Sequence, residues 1–112
     1  MAVDYEDRAV PLFMQAARLL QAGAVGTPWL VKLDWLMGSR ADPQRGWNWY
    51  AQADQGGGVI GALGTHAMDM LAWLIGPLGS VQALNSVSIK QRPHPDGGLA
   101  AVDASDVSLL QT

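Results

Sequence analysis

Apolar and polar residues alternate from Trp29 to Met37: Trp29, Val31, Leu33, Trp35 and Met37 share one side, and Leu30, Lys32, Asp34 and Leu36 the other. A two-residue period predicts a strand, here with one wholly apolar face. The segment before it keeps a different rhythm. Leu12, Ala16, Leu19 and Leu20 recur at helical spacing with Phe13 and Ala17 beside them, while Gln15, Arg18 and Gln21 point elsewhere. This predicts an amphipathic helix with one buried side. Pro11 suits a first helical residue, whose N–H would be unpaired anyway, and Gly23 suits the left-handed residue that closes a helix. A short extended start is expected around Val3 to Glu6.

From Gly38 to Gln55 the periodicity disappears and Gly, Ser, Asp, Pro, Arg and Asn take over, with Trp47, Trp49 and Tyr50 interspersed. Such a stretch reads as a long loop of the kind that carries function. A second helix follows and stops at Gly76 and Pro77. Alternation then returns, with Val81, Ala83, Val87 and Ile89 opposite Gln82, Ser86, Ser88 and Lys90. That is a half-solvated strand. RPHPDGG is expected to be a turn or loose loop, and ASDVSLLQT to begin a third strand, antiparallel to the second. The order predicts an α+β fold: an open, mostly antiparallel sheet with helices on one face and the other face free for oligomerisation.

The 112-residue length suits one domain or a piece of a larger one. With 49% hydrophobic and only 15% charged residues, the chain has material to bury and too little charge for disorder. Seven Lys plus Arg against 10 Asp plus Glu give a net charge of −3 with no basic stripe, which argues against nucleic acid as a partner. The chain has no Cys, hence no disulfides or thiolate metal sites, in keeping with a cytoplasmic setting. MAVDYEDR is too acidic and polar for a secretory signal. The apolar run Val59 to Ile75 is at the short limit for crossing about 30 Å of hydrocarbon and holds His66 and Asp69 near its middle, so no membrane partner is expected.

Gly56, Gly58 and Gly61 match G-x-G-x-x-G, a pattern that binds dinucleotides when a buried strand leads into it and a carboxylate follows about 20 residues later. Here NWYAQADQ precedes it and Pro77 to Asn85 contains no carboxylate. No cofactor site is therefore expected on this chain. On a helical projection at about 100° per residue, Ile60, Leu63, Ala67, Met70, Leu71 and Leu74 form a core face opposite Gly58, Gly61, Thr65, Met68 and Ala72. Glycines are costly in helices, so the small-residue side is expected to leave room for a second domain or a ligand. His66 and Asp69 lie along the border between these sides. The imidazole suits proton exchange at neutral pH, and Asp69 could fix its tautomer; the alternative is a structural hydrogen-bonded pair. A lone H-x-x-D lacks the further ligands a metal needs. His94, in the Pro-rich loop, is expected to be solvated.

The run GGGVIGALGTHAMDMLAWLIG, preceded by GSRADPQRGWNWY and by VPLFMQAARLLQAGAVGTPWLVKL, resembles the carboxyl-terminal substrate domain of the Gfo/Idh/MocA oxidoreductases. The resemblance implies that His66 matches the catalytic histidine that helps remove the hydroxyl proton as hydride leaves for a nicotinamide, with Asp69 the acid of the same segment. Many members carry an Asp four residues before the histidine, where this chain has Ala62. Residues 1–112 are expected to form a single, incomplete domain, with NAD or NADP bound only through a nucleotide-binding domain outside it. The implied function is substrate binding and homo-oligomerisation in a sugar or polyol dehydrogenase, inactive alone; the alternative is a non-catalytic dimerisation or interaction module. Arg40, Arg45, Trp47, Asn48 and Trp49, together with Thr65, are the expected polyol contacts, because hydroxyls suit paired donors and C–H faces suit aromatic planes. The opposing reading has the tryptophans plugging the core edge and the arginines solvated.

Overall fold

The computed structural model describes residues 4–112. They form two compact units, one running up to Asp34 and resuming at His66–Gly79, the other comprising Trp35–Thr65 and Ser80–Thr112. Local elements and antiparallel strands together make the α+β fold expected from the sequence.

In the first unit, helix α1 (Pro11–Gln21) has Pro11 in its first turn. At its end the Gly23 N–H donates to Leu20 O and the Ala24 N–H to Leu19 O, with Gly23 at φ +73°. These two bonds satisfy carbonyls that the helix leaves free, which is why a glycine is needed there. The predicted buried side is corrected. Only Ala17 is buried, while Leu12 and Leu19 are exposed, because the described chain places little against that face. Val3 lies outside the described residues, and the expected extended start gives way to a 3-10 turn over Glu6–Ala9. Helix α2 (Thr65–Ile75) contributes all but its first residue to this unit and ends at Gly76, φ +119°.

The expected strand from Trp29 to Met37 does not form among the described residues, and Trp29 is 98% exposed. Alternation is sufficient for a strand only when a neighbour receives its N–H and C=O groups. None of the four strands present pairs with it.

In the second unit, β1 (Gln82–Ser86) pairs antiparallel with β4 (Val107–Gln111), with Leu84 opposite Leu109. The predicted strand running through Gln91 is broken after Ser86. There the Asp106 carboxylate accepts the N–H groups of Ser88 (2.7 Å) and Ile89 (2.9 Å), so the backbone turns to a side chain instead of a partner strand. Burial pushes the Asp106 carboxyl up, but these donors together outweigh it and hold it below its ordinary value. RPHPDGG is more ordered than expected: β2 (Gln91–Pro93) and β3 (Leu99–Ala101) pair around it as a hairpin. Gly97 and Gly98 take positive φ in its turn.

Arg92, in β2, is buried and has no sequence signature. Its Nη1 donates to Asp42 O at 2.7 Å and its Nη2 to Arg40 O at 2.6 Å, which gathers the long loop onto the hairpin. Arg92→Ala should strand these carbonyls and lower stability by roughly 3 kcal/mol. A urea-unfolding midpoint indistinguishable from the parent would contradict this anchoring role.

Candidate functional site

The glycine-rich stretch is entered from 3-10 turns at Trp49–Ala51 and Ala53–Gln55, and no strand leads into it. Three of its N–H groups are already committed: Gly56 donates to Ala53 O, Gly57 to Gln52 O and Val59 to Ser105 O. A phosphate needs such donors free. A Cβ on Gly57 would sit 2.5 Å from Trp49 O and 2.6 Å from both Gln52 O and Tyr50 O. One on Gly58 would sit 2.7 Å from Ser105 O, and one on Gly61 would strike Gly56 O. The expectation that these glycines clear space for another domain or a ligand is therefore corrected, because the chain's own carbonyls occupy that space. The uniform helical projection fails as well. Residues Ile60–Gly64 form a π-helical turn, whose i→i+5 bonding advances each residue by less than an α-helix does.

Just beyond that turn, in the first unit, His66 is half-buried with 24% of its side chain exposed. Its ring meets the edge of Tyr5 at 5.4 Å and 86°. Its Nδ1 lies 3.6 Å from Glu6 Oε2 and 3.9 Å from Asp7 Oδ2. Asp69 belongs to the same neighbourhood but is held by Arg8, whose Nε and Nη2 donate to its two oxygens at 2.8 and 2.6 Å. Arg8 also lies over the Trp73 ring, 5.8 Å from its centroid. The hydrogen bonds from Arg8 keep the Asp69 carboxyl below its ordinary value in spite of partial burial. A lowered carboxyl contributes stability that is fully present above its unfolded value, near 3.8, and lost as pH falls through the lower folded one. The thermal midpoint should therefore drop as pH is lowered from about 6 towards 2. Asp69→Asn should start lower and flatten that drop; an unchanged acid limb would show the pair to be inert.

YEDR, the stretch that surrounds His66 and Asp69, carried only a charge reading and part of an expected extended start in the sequence. The available signal was an aromatic residue, two acids and a base in one short turn ahead of Pro11. Nothing in the sequence linked them to a histidine nearly sixty positions away.

The other candidates belong to the second unit. Trp47 donates its indole N–H to Ala101 O at 2.8 Å and rests on His94, 5.1 Å between centroids. His94 is thus half-buried, which corrects the solvated position expected for it. Asn48 Oδ1 accepts the Tyr50 N–H, and the Thr65 hydroxyl donates to Gly61 O at 3.3 Å. The Arg40 guanidinium stacks 3.7 Å from the Tyr50 ring centroid, and burial, then Arg45 and Arg92, push its pKa down. Arg45 reaches Ser39 O at 3.2 Å, and Trp49 is about half exposed. An open groove of about 570 Å³, lined by residues such as Trp35, Met37, Ile89 and Val107, is bordered by Arg40 alone of these candidates.

An α+β chain with a half-buried histidine on a helix and small antiparallel sheets narrows the class, and comparison with known proteins supplies the family. Residues 13–110 match the GFO/IDH/MocA C-terminal domain, and the chain belongs to that family, as the resemblance in its sequence implied. It is 49% identical over 109 residues to an uncharacterized oxidoreductase of Synechocystis sp., covering 96% of this chain and 29% of that protein. It is 30% identical over 101 residues to levoglucosan dehydrogenase of Pseudarthrobacter phenanthrenivorans, covering 89% of this chain and 26% of that protein. The chain therefore spans less than a third of these curated relatives. Among solved structures, an oxidoreductase domain protein from Kribbella flavida superposes with a TM-score of 0.86 at 24% identity, covering 95% of this chain and 30% of that one, a likeness of fold. Levoglucosan dehydrogenase in complex with NADH and L-sorbose superposes with a TM-score of 0.76 at 26% identity, covering 95% and 29%.

Proposed function

We propose that this chain is the substrate-side domain of a cytoplasmic NAD(P)-dependent oxidoreductase acting on a sugar or polyol. The observation that carries the reading is His66, half-buried but open to water, with carboxylates facing one ring nitrogen. Membership of the family and the levoglucosan dehydrogenase relative support the substrate class. In this reading His66 accepts the proton of a substrate hydroxyl as that carbon is oxidised to a carbonyl. Asp69 keeps its negative charge beside the site through Arg8. The glycine-rich stretch does not fit a cofactor's pyrophosphate, since the N–H groups of Gly56, Gly57 and Val59 are spent and 3-10 turns, not a strand, lead into it. NAD or NADP, held by a nucleotide-binding domain outside residues 1–112, would supply the hydride acceptor.

Arg45 and the exposed face of Trp49 are the proposed polyol contacts with most freedom, and Arg40 offers the N–H groups its Tyr50 stack leaves free. Trp47, Asn48 and Thr65 are proposed to support those contacts through the bonds described above. The face of β1 and β4 carrying Leu84, Val107 and Leu109 is exposed and is proposed to associate with a second copy. Neither nucleic acid nor a membrane belongs to this reading. The stretch Ala53–Ile75 has the length and hydropathy of a membrane span, but it contains a π-helical turn and an ion pair to the half-exposed Arg8, which suit water better than lipid.

Ala62, standing where many relatives have an acid, favours one rival reading, a dimerisation or interaction module without chemistry. Joining the chain to a nucleotide-binding domain of the family, or supplying that domain in trans, and assaying NAD- and NADP-linked oxidation of sugars and polyols decides between them. Turnover supports the dehydrogenase. A complex that binds NADH, oxidises no polyol and still self-associates would assign the chain to the rival.

A further inference from the structure

The turn ahead of α1 brings consecutive side chains to bear on one imidazole. Tyr5 packs against the ring of His66, Glu6 and Asp7 face its Nδ1, and Arg8 occupies both oxygens of Asp69. Asp69 is thereby withdrawn as the group that orients the histidine, and Ala62 has no carboxylate to offer. Asp7 remains. Its side chain is only 18% exposed, and its Oδ2 is buried without any hydrogen-bond partner among the described residues. A buried acceptor is rarely left unmatched, and here a ring nitrogen able to carry a proton lies beside it.

We propose that Asp7 is a positioning residue for His66: it favours the tautomer protonated at Nδ1 and so leaves Nε2 as the atom that takes the substrate's proton. Glu6 is nearer, at 3.6 Å against 3.9 Å, but it is 68% exposed and can turn to water. Neither distance is yet a hydrogen bond. Such contacts often tighten when substrate binds. The charged groups around the ring are Glu6 and Asp7 from the turn and Asp69 with its Arg8 partner, so carboxylates outnumber bases. A carboxylate carried by the preceding turn thus takes over the task of the acid missing at Ala62. The catalytic consequence rests on the function proposed above; the tautomer does not.

The test is nitrogen NMR of His66 in the intact oxidoreductase at about pH 8.5, where an ordinary imidazole is neutral. Comparison with His66→Gln assigns the His66 signals, and His94→Gln those of the other histidine within residues 1–112. The expected result is a proton at Nδ1 in the parent, loss of that preference in Asp7→Asn, its return in Asp7→Glu, and little change in Glu6→Gln. Asp7→Asn should also lower kcat by at least about tenfold with KM nearly unchanged, as expected of an imidazole in the wrong tautomer. A parent protonated mainly at Nε2 would overturn the proposal and needs no variant to fold. An Asp7→Asn protein with the parent tautomer would overturn it equally. Retained turnover in His66→Ala would instead remove His66 from the chemistry and leave the tautomer result standing on its own.

Discussion

Substituting His66 by Ala is expected to lower kcat of the intact oxidoreductase by about 10²–10⁴-fold, or roughly 3–5 kcal/mol of barrier, with a smaller change in KM. The size follows from the lost task. A secondary alcohol is a very weak acid, and hydride cannot leave its carbon productively unless the hydroxyl proton goes somewhere. Within residues 1–112 the other histidine, His94, rests on Trp47 with its Nδ1 accepting the Asp96 N–H, and Asp69 is bound by Arg8. Both are thus already engaged. The effect on stability should be small, because His66 is only half-buried. Steady-state kinetics with the preferred polyol is the measurement. A kcat within a few-fold of the parent would remove His66 from the chemistry and favour the interaction-module reading.

Gly57→Ala is expected to destabilise the fold by on the order of 4 kcal/mol. The new methyl would lie 2.5–2.6 Å from three backbone carbonyl oxygens, those of Trp49, Tyr50 and Gln52. No rotamer change can move a backbone oxygen, so the turn itself must shift and release Ala51, one of the few buried apolar residues. Gly46→Ala is the control, since nothing lies within 4 Å of its Cβ position, and it should stay within about 0.5 kcal/mol. Unfolding in urea separates the two. If Gly57→Ala melted like the parent but bound NADH more weakly, the stretch would be a phosphate loop after all.

Local signals in this chain were reliable where the interaction was itself local. The ends of α1 and α2 were legible because Pro11, Gly23 and Gly76 act within a turn or two of themselves. The antiparallel pairing of β1 with β4 followed from two alternating segments, and the β2–β3 hairpin between them pairs with itself and leaves their edges free to meet. The strand expected over Trp29–Met37 shows the limit, because alternation describes a face and not the partner strand that would hold it.

The sequence by itself determined the family, both ends of α1 and the end of α2, the α+β class and the histidine on α2, since each rests on residue type and short-range spacing. Only the tertiary structure decided what stands around that histidine and what the glycines are for. Arg8 reaches Asp69, Asp7 turns an unpaired oxygen towards His66, and Arg92 collects carbonyls some fifty residues distant, all through contacts between segments far apart in the chain. The reason is that a charged side chain's partner is set by which backbone segments are brought within about 3–4 Å, and charge alone leaves that choice open.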